Sequence, residues 1–442
     1  MRLSNVCVKN FRCFEDISLD LSGSLTILVG NNGAGKSALL DAIAIGLGAF
    51  TAGIKDLKAN YNIDKNDARH VSYAAGGAVN TEAQYPVSVS CVGRVEHDKT
   101  TLKWTRSLNS SGGSTTVKGA REIIEYASRL TLNVMKNTGE HDVLPVFGYY
   151  GTGRLWAHKK AKWGAAGRKK TSRIDGYIDC LAAESNEKLM LEWFEKMTQK
   201  ELQELQLNNG AAKLPIFEVV KSAVKQCVEK ISDFQDSEIR YNLESQSLEL
   251  ISSASKNRQT YLLTELSDGY KSTISMIGDI AYRMAVLNPH LEEKALTAAP
   301  GVVLIDEVDL HLHPLWQQVI LSDLTRIFPK VQFIVTTHAP SVIMSAKDAQ
   351  IVVIEREDLH TPHYAVYGRD ANSILCELMG ASERPSEIKS LLNNFYTQVS
   401  EMKLEEAEAV LERIKTEIGA DDPEIAKAET VLFFEKFENT DK

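Results

Sequence analysis

Paired cysteines are missing from this chain of 442 residues. Cys7, Cys13, Cys91, Cys180, Cys227 and Cys376 stand singly with no C-x-x-C spacing, so reduced, buried thiols are expected and neither a disulfide framework nor a zinc site is. Long hydrophobic runs are missing too. No apolar stretch approaches the roughly twenty residues that cross a bilayer, and Met1-Arg2-Leu3-Ser4-Asn5 leads into a strand pattern instead of a signal peptide. The expectation is a cytosolic protein with no membrane contact. A formal net charge of −9 excludes a uniform polycation, so any contact with DNA or RNA must come from a local basic patch. Internal repeats and low-complexity tracts are absent. No H-N-H cluster, H-E-x-x-H or extra acidic triad follows His338, and the remaining hundred or so residues are short for a nuclease domain.

What is present begins at Gly30-Asn31-Asn32-Gly33-Ala34-Gly35-Lys36-Ser37, a G-x-x-x-x-G-K-S loop. Ile27, Leu28 and Val29 before it read as a strand, and Leu39, Leu40, Ile43 and Ile45 after it as a helix. That is the context in which such a loop wraps its N–H groups around nucleotide phosphates, with the positive helix end behind them. ATP is the expected ligand, Lys36 reaching the β and γ oxygens and Ser37 ligating Mg2+. Far downstream, Val302-Val303-Leu304-Ile305-Asp306-Glu307 is an apolar strand that delivers two acids to its C-terminal edge, a Walker B pattern. Asp306 is expected to hold the metal through a water and Glu307 to orient or deprotonate the attacking water.

A second strand, Val331 to Thr337, runs into His338, and Asp309 lies in the short loop after the paired acids. Upstream, Ser267-Asp268-Gly269 opens a helix, a hydroxyl and bare N–H groups suited to anionic oxygen. This ordered set resembles the ABC-type ATPases, in their SMC/RecF-like branch. Val8-Lys9-Asn10-Phe11-Arg12-Cys13-Phe14 is similar to the N-F-R-x-F start of that branch. The resemblance implies that Arg12 lies beside the nucleotide, that Ser267 and Gly269 cap a partner's γ-phosphate in a head-to-head dimer, that Asp309 crosses the seam, and that His338 senses the γ-phosphate. Asp268 departs from the usual glycine, and an acid beside the phosphate implies slow or regulated hydrolysis.

Three further stretches, Leu144 to Trp156, His311 to Gln317 and Tyr367 to Leu375, look like the anti-phage ATPases of the PtuA kind, found in Septu systems and with some retrons. That likeness implies a regulatory, scaffolding ATPase acting with a separate HNH nuclease of the PtuB kind, and it carries Arg154 over as a nucleotide or DNA contact. The alternative is a stand-alone RecF/SMC-like DNA-repair ATPase that clamps DNA.

The fold class that follows is α/β, an ABC-type P-loop head with a mixed central sheet, a helical insertion and a C-terminal helical extension. Residues 1–155 are the first lobe, with Tyr85 to Val92 and Leu102 to Trp104 as antiparallel additions. Residues 156–260 are the insertion, helical by the spacing of Leu189, Leu191, Trp193, Phe194 and Met197 and lacking sustained heptads. Residues 261–370 complete the head. Residues 371–442 are the helical region, with Leu404, Ala407, Leu411, Ile414 and Ile418 on one face and Phe433, Phe434 and Phe437 near the end. Those helices either pack on the head or bind a partner. Arg154, Lys159, Lys160, Lys162, Arg168, Lys169, Lys170 and Arg173, with Trp156 and Trp163 among them, make a candidate nucleic-acid segment by counterion release and base stacking. A solvated loop is the competing reading.

Overall fold

The computed structural model describes residues 1–21, 23–55, 57, 61–75, 78–95, 100–136, 142–155, 172–183, 187–207, 214–231, 236–252, 259–355 and 358–440. They fall into two compact units, Met1–Ala371 and Asn372–Lys442.

The first unit is organised by a six-stranded sheet in the order Asp358–His360, Gln350–Glu355, Leu25–Val29, Val331–Thr336, Gly301–Ile305, Val146–Tyr150. All neighbours are parallel except the hairpin at the Asp358–His360 edge. The strands LTILV, GVVLI and VQFIVT are buried at every position, which is why they read as unbroken apolar runs and not as alternation. Because parallel strands all end on one side, the phosphate loop, Asp306 and His338 emerge at one edge.

A second, antiparallel sheet runs Phe14–Asp20, Arg2–Phe11, Val87–Arg94, Thr101–Leu108. Its strands alternate, for example buried and half-buried residues along Val87–Arg94, as expected of a sheet with one covered face. The helix Lys36–Thr51 contacts strands of both sheets, and it is apolar on every side because almost all of it is buried. Gly46 lets it approach the antiparallel sheet. A Cβ there would sit 2.4 Å from Cys91 Sγ, and the Trp104 indole donates to the Gly46 carbonyl at 2.8 Å.

Between 156 and 260 the structure has the helices Glu187–Leu207 and Pro215–Ile231 and then a three-stranded antiparallel sheet, Glu238–Asn242, Ser247–Ser252 and Gln259–Leu262. Apolar periodicity indicates helices alone there, so the sheet is an addition. Trp193, Phe194 and Phe217 meet edge-on, and Trp193 also meets Tyr282 of the helix Asp268–Leu287. Aromatic faces packed against edges supply much of this satellite core.

The second unit is a helical bundle of Ser386–Ser400, Leu404–Ile418 and Pro423–Thr440, preceded by Ala371–Glu377. Its helices bury Leu392, Phe395, Val399, Ala407, Leu411, Ile414, Ile425, Ala428 and Leu432 against one another. Arg384 grips Asp422 with two hydrogen bonds, 2.7 and 3.1 Å, while Asp422 also accepts from the Glu424 amide at the start of the last helix. Phe433, Phe434 and Phe437 stay 60–65% exposed and touch one another.

Candidate functional site

The phosphate loop turns through Gly33 and Gly35, whose φ values of +82° and +101° lie in the left-handed region. Gly35 leads the helix Lys36–Thr51 at close quarters, since a Cβ there would lie 2.6 Å from Cys13 Sγ and 2.4 Å from the Phe14 ring. Gly30 is equally tight, with Ile354 O at 2.6 Å from its Cβ position. Asn31, Asn32, Gly33 and Ala34, with Cys13, Ile354 and Glu355, line a cleft of about 760 Å³.

Lys36 is 6% exposed, and its ammonium donates to Gly30 O at 2.8 Å and Asn31 O at 3.0 Å. Burial pushes its pKa down, against the pull of Asp306, Glu307 and Asp309. An ammonium satisfied by two loop carbonyls beside three acids is a cation held where an anionic ligand would displace those carbonyls.

Ser37 and Asp306, far apart in sequence, meet: the hydroxyl donates to Asp306 Oδ2 at 2.7 Å. The other carboxylate oxygen accepts from Thr336 at 2.6 Å. The same Thr336 hydroxyl accepts from the Glu307 amide at 2.7 Å, and Glu307 takes φ +48°. Thr337 repeats the pattern one residue on, donating to Asp309 at 2.5 Å and accepting from the Ala339 amide at 3.0 Å. His338 sits between these threonines and the next helix, half-buried. Sequence reasoning missed Thr336 and Thr337. The available signal was two hydroxyls at the end of the strand that neighbours Gly301–Ile305.

Ser267 precedes the helix Asp268–Leu287, and its hydroxyl makes no capping bond to that helix. It is exposed, whereas Gly269 is buried, packed so that a Cβ would meet His311 O at 2.4 Å. Asp268 lies 3.6 Å from Lys271, which offsets part of the acid's charge. Tyr270 and Trp316 pack edge-on with centroids 4.1 Å apart.

Arg12 is held by Asp41 at 2.5 Å and Asp67 at 2.9 Å. Burial opposes its charge, but these two carboxylates prevail and raise its pKa. Asp41, on the phosphate-loop helix, also accepts from the Tyr149 hydroxyl at 2.6 Å, and burial with Asp41 beside it pushes that phenol up.

Two members of the expected basic segment need correcting. Arg154 is no surface contact: it is 7% exposed, donates to main-chain carbonyls of Gly151, Asp306 and Glu307, and burial lowers its pKa to about 10. Arg173 likewise turns inward, onto Leu287 O and Asp142 O at 2.8 Å each. Lys159, Lys160, Lys162, Trp156, Trp163, Arg168, Lys169 and Lys170 lie outside the described residues. No helix of the described residues is long and apolar enough to cross a membrane.

A family model described as "AAA domain" matches residues 6–233, just over half of the chain, and a second AAA-domain model matches 201–345. The chain is 26% identical to "Retron Vc95 probable ATPase" of Vibrio cholerae, over 90% of this chain and 84% of that protein. It is 27% identical to "Retron Ec83 probable ATPase" of Escherichia coli, over 96% and 85%. A shorter match, 41% identical over 22% of this chain and 13% of the other, is to "Septu protein PtuA" of Bacillus mycoides. Among solved structures, an SMC head bound to the C-terminal winged-helix domain of ScpA aligns over 82% of this chain and 98% of that one, at 17% identity and a TM-score of 0.46. With the first of these family models covering just over half of its length, the chain belongs to the AAA-domain family of ATPases.

Proposed function

We propose that this ATPase is the nucleotide-controlled regulator and scaffold of a bacterial anti-phage complex, pairing head to head through shared ATP sites and governing a separate HNH nuclease of the PtuB kind. The retron and Septu relatives supply the setting. The observation that carries the mechanism is a division of labour within the chain. Ser37, Asp306 and Thr336 converge on the phosphate loop, while Ser267 leads its helix with a hydroxyl its own helix does not use.

On this reading Lys36 and the loop amides hold the β- and γ-phosphates. Mg2+ fits the hard oxygen pair of Ser37 and Asp306, where it would neutralise charge on the phosphate oxygens. Glu307 accepts a proton from the attacking water as the γ-phosphorus bond to the bridging oxygen breaks. Thr336 fixes the main chain at Glu307 so that its carboxylate points at that water. Ser267 and Gly269 reach the γ-phosphate of the second copy, Asp309 lies at the seam and His338 reads the γ-phosphate. Arg12, braced by Asp41 and Asp67, flanks the nucleotide.

Co-purification of the chain with its neighbouring gene products, followed by mass measurement with and without ATP, tests the proposal. A stable complex with an HNH protein is expected. A chain that pairs on DNA with no nuclease partner would instead favour a stand-alone DNA-clamping ATPase.

A further inference from the structure

The strand Val146–Tyr150 points its last two side chains to different machinery. Tyr149 donates to Asp41 on the phosphate-loop helix. Tyr150 donates at 2.8 Å to Asp279 on the helix Asp268–Leu287, the helix that Ser267 and Gly269 begin. Arg283, on that same helix, closes the contact with 2.7 Å to Asp279 and reaches Gly176 O and Ile178 O at 2.9 Å each.

Four residues after Tyr150, Arg154 joins the two sides at the centre. Its Nη1 donates to Asp306 O at 2.7 Å and Gly151 O at 3.2 Å, and its Nη2 to Glu307 O at 2.8 Å. Its Nε donates at 2.8 Å to Ser272 Oγ, one turn into the Ser267–Gly269 helix. Both residues are almost inaccessible, 7% and 6% exposed. All four acceptors are neutral oxygens, three of them main-chain carbonyls, so the planar fork is used for its geometry: it can span two consecutive carbonyls and a hydroxyl, which a single ammonium cannot.

We infer that Arg154 is a positioning residue that couples the main chain at Asp306–Glu307 to the first turns of the Ser267–Gly269 helix. This rests on the shared-site reading above. Glu307 occupies φ +48°, a conformation few non-glycine residues hold unaided. A change there on nucleotide binding displaces the two carbonyls, the guanidinium follows, and Ser272 carries the shift to the helix end that meets the partner. One copy's nucleotide thereby sets the presentation of its own Ser267 to the other copy's site. Such coupling is a free energy between two binding events, visible only when both are measured.

The test uses the full chain carrying Glu307→Gln, so that ATP persists, and adds Ser272→Ala. A fluorescent ATP analogue gives nucleotide affinity at protein concentrations too low for pairing, and sedimentation gives the dimer dissociation constant with and without ATP. Ser272→Ala should keep the affinity of dilute protein within about twofold and reduce the ATP-driven gain in pairing by about tenfold, the loss of one charge-assisted hydrogen bond. Arg154→Lys should lose the gain as well, since it keeps the charge and not the fork. Ser272→Cys, which preserves volume and lacks a strong acceptor, gives the same comparison should Ser272→Ala fail to fold. Equal ATP-driven gain in the parent and either Ser272 variant overturns the coupling, as does full retention in Arg154→Lys. A parent that does not pair with ATP at all refutes the shared-site reading itself, and the coupling falls with it.

Discussion

Thr336→Val removes one hydroxyl and two hydrogen bonds, and it does so beside both acids of the site. Thr336 is 0% exposed, its donation to Asp306 spans 2.6 Å and its acceptance from the Glu307 amide 2.7 Å. A bond to a carboxylate and one to a neutral amide are together worth roughly 2–4 kcal/mol when neither partner finds a replacement. An unfolding entropy of about 2 cal/mol/K per residue over Met1–Ala371 turns this into a Tm lower by roughly 3–5 °C. Catalysis should suffer more than binding. The bond from Ser37 to Asp306 uses the other carboxylate oxygen, so KM for ATP should stay within about threefold, while a Glu307 freed to shift by about 1 Å costs on the order of a hundredfold in kcat. Differential scanning fluorimetry and steady-state phosphate release measure both, with Thr336→Ser expected to restore them. A Thr336→Val protein that melts and turns over like the wild type would refute the claim that this hydroxyl aligns the acids.

Lys36→Ala should abolish detectable nucleotide binding, and Glu307→Gln should retain ATP yet slow hydrolysis at least a hundredfold; equilibrium binding and phosphate release separate the two. Replacing Phe433, Phe434 and Phe437 with serine should lower capture of the nuclease and phage protection together while leaving ATP turnover unchanged, because these rings lie outside the bundle core. Deleting the last helix is a poorer test, since Ile425, Ala428 and Leu432 belong to that core. Reversing Lys159, Lys160, Lys169 and Lys170 to glutamate should weaken nucleic-acid binding and flatten its salt dependence; an unchanged slope would return the segment to a solvated loop. The bond from Arg384 holds the Asp422 carboxyl below its ordinary 3.8, helped by the Glu424 amide. Its contribution to the bundle is therefore complete above about pH 4 and disappears as pH falls through the lowered value, and Arg384→Gln should make acid unfolding of the bundle, followed by NMR, begin at higher pH.

The strands and helix that surround the phosphate loop were legible because each is a single uninterrupted pattern: LTILV and GVVLI are buried at every position and the loop's glycines sit between a strand and a helix. The meeting of Ser37 with Asp306 was legible as chemistry, two magnesium-type oxygens, though not as a distance. Thr336 and Thr337 were not legible. A threonine at the end of a strand is what strand propensity alone supplies, and only the parallel register of Val331–Thr336 with Gly301–Ile305 turns its hydroxyl toward the acids. Arg154 misled for the opposite reason. It opens a run rich in lysine and arginine, and composition cannot tell a solvated cation from one whose donors are consumed by carbonyls. The strands from Glu238 to Leu262 were hidden by their shortness, four to six residues each.

The acidity of the chain is unevenly distributed. Asn372–Lys442 contains 16 acids and 8 bases, an excess of eight against nine for the whole molecule, so Met1–Ala371 is nearly neutral. The helical bundle thus joins an excess of negative charge to three exposed phenyl rings, a combination that repels the phosphates of nucleic acid. Raising the ionic strength should screen that repulsion while leaving the exposure of the rings unchanged, so charge and apolar surface on this unit answer to different conditions.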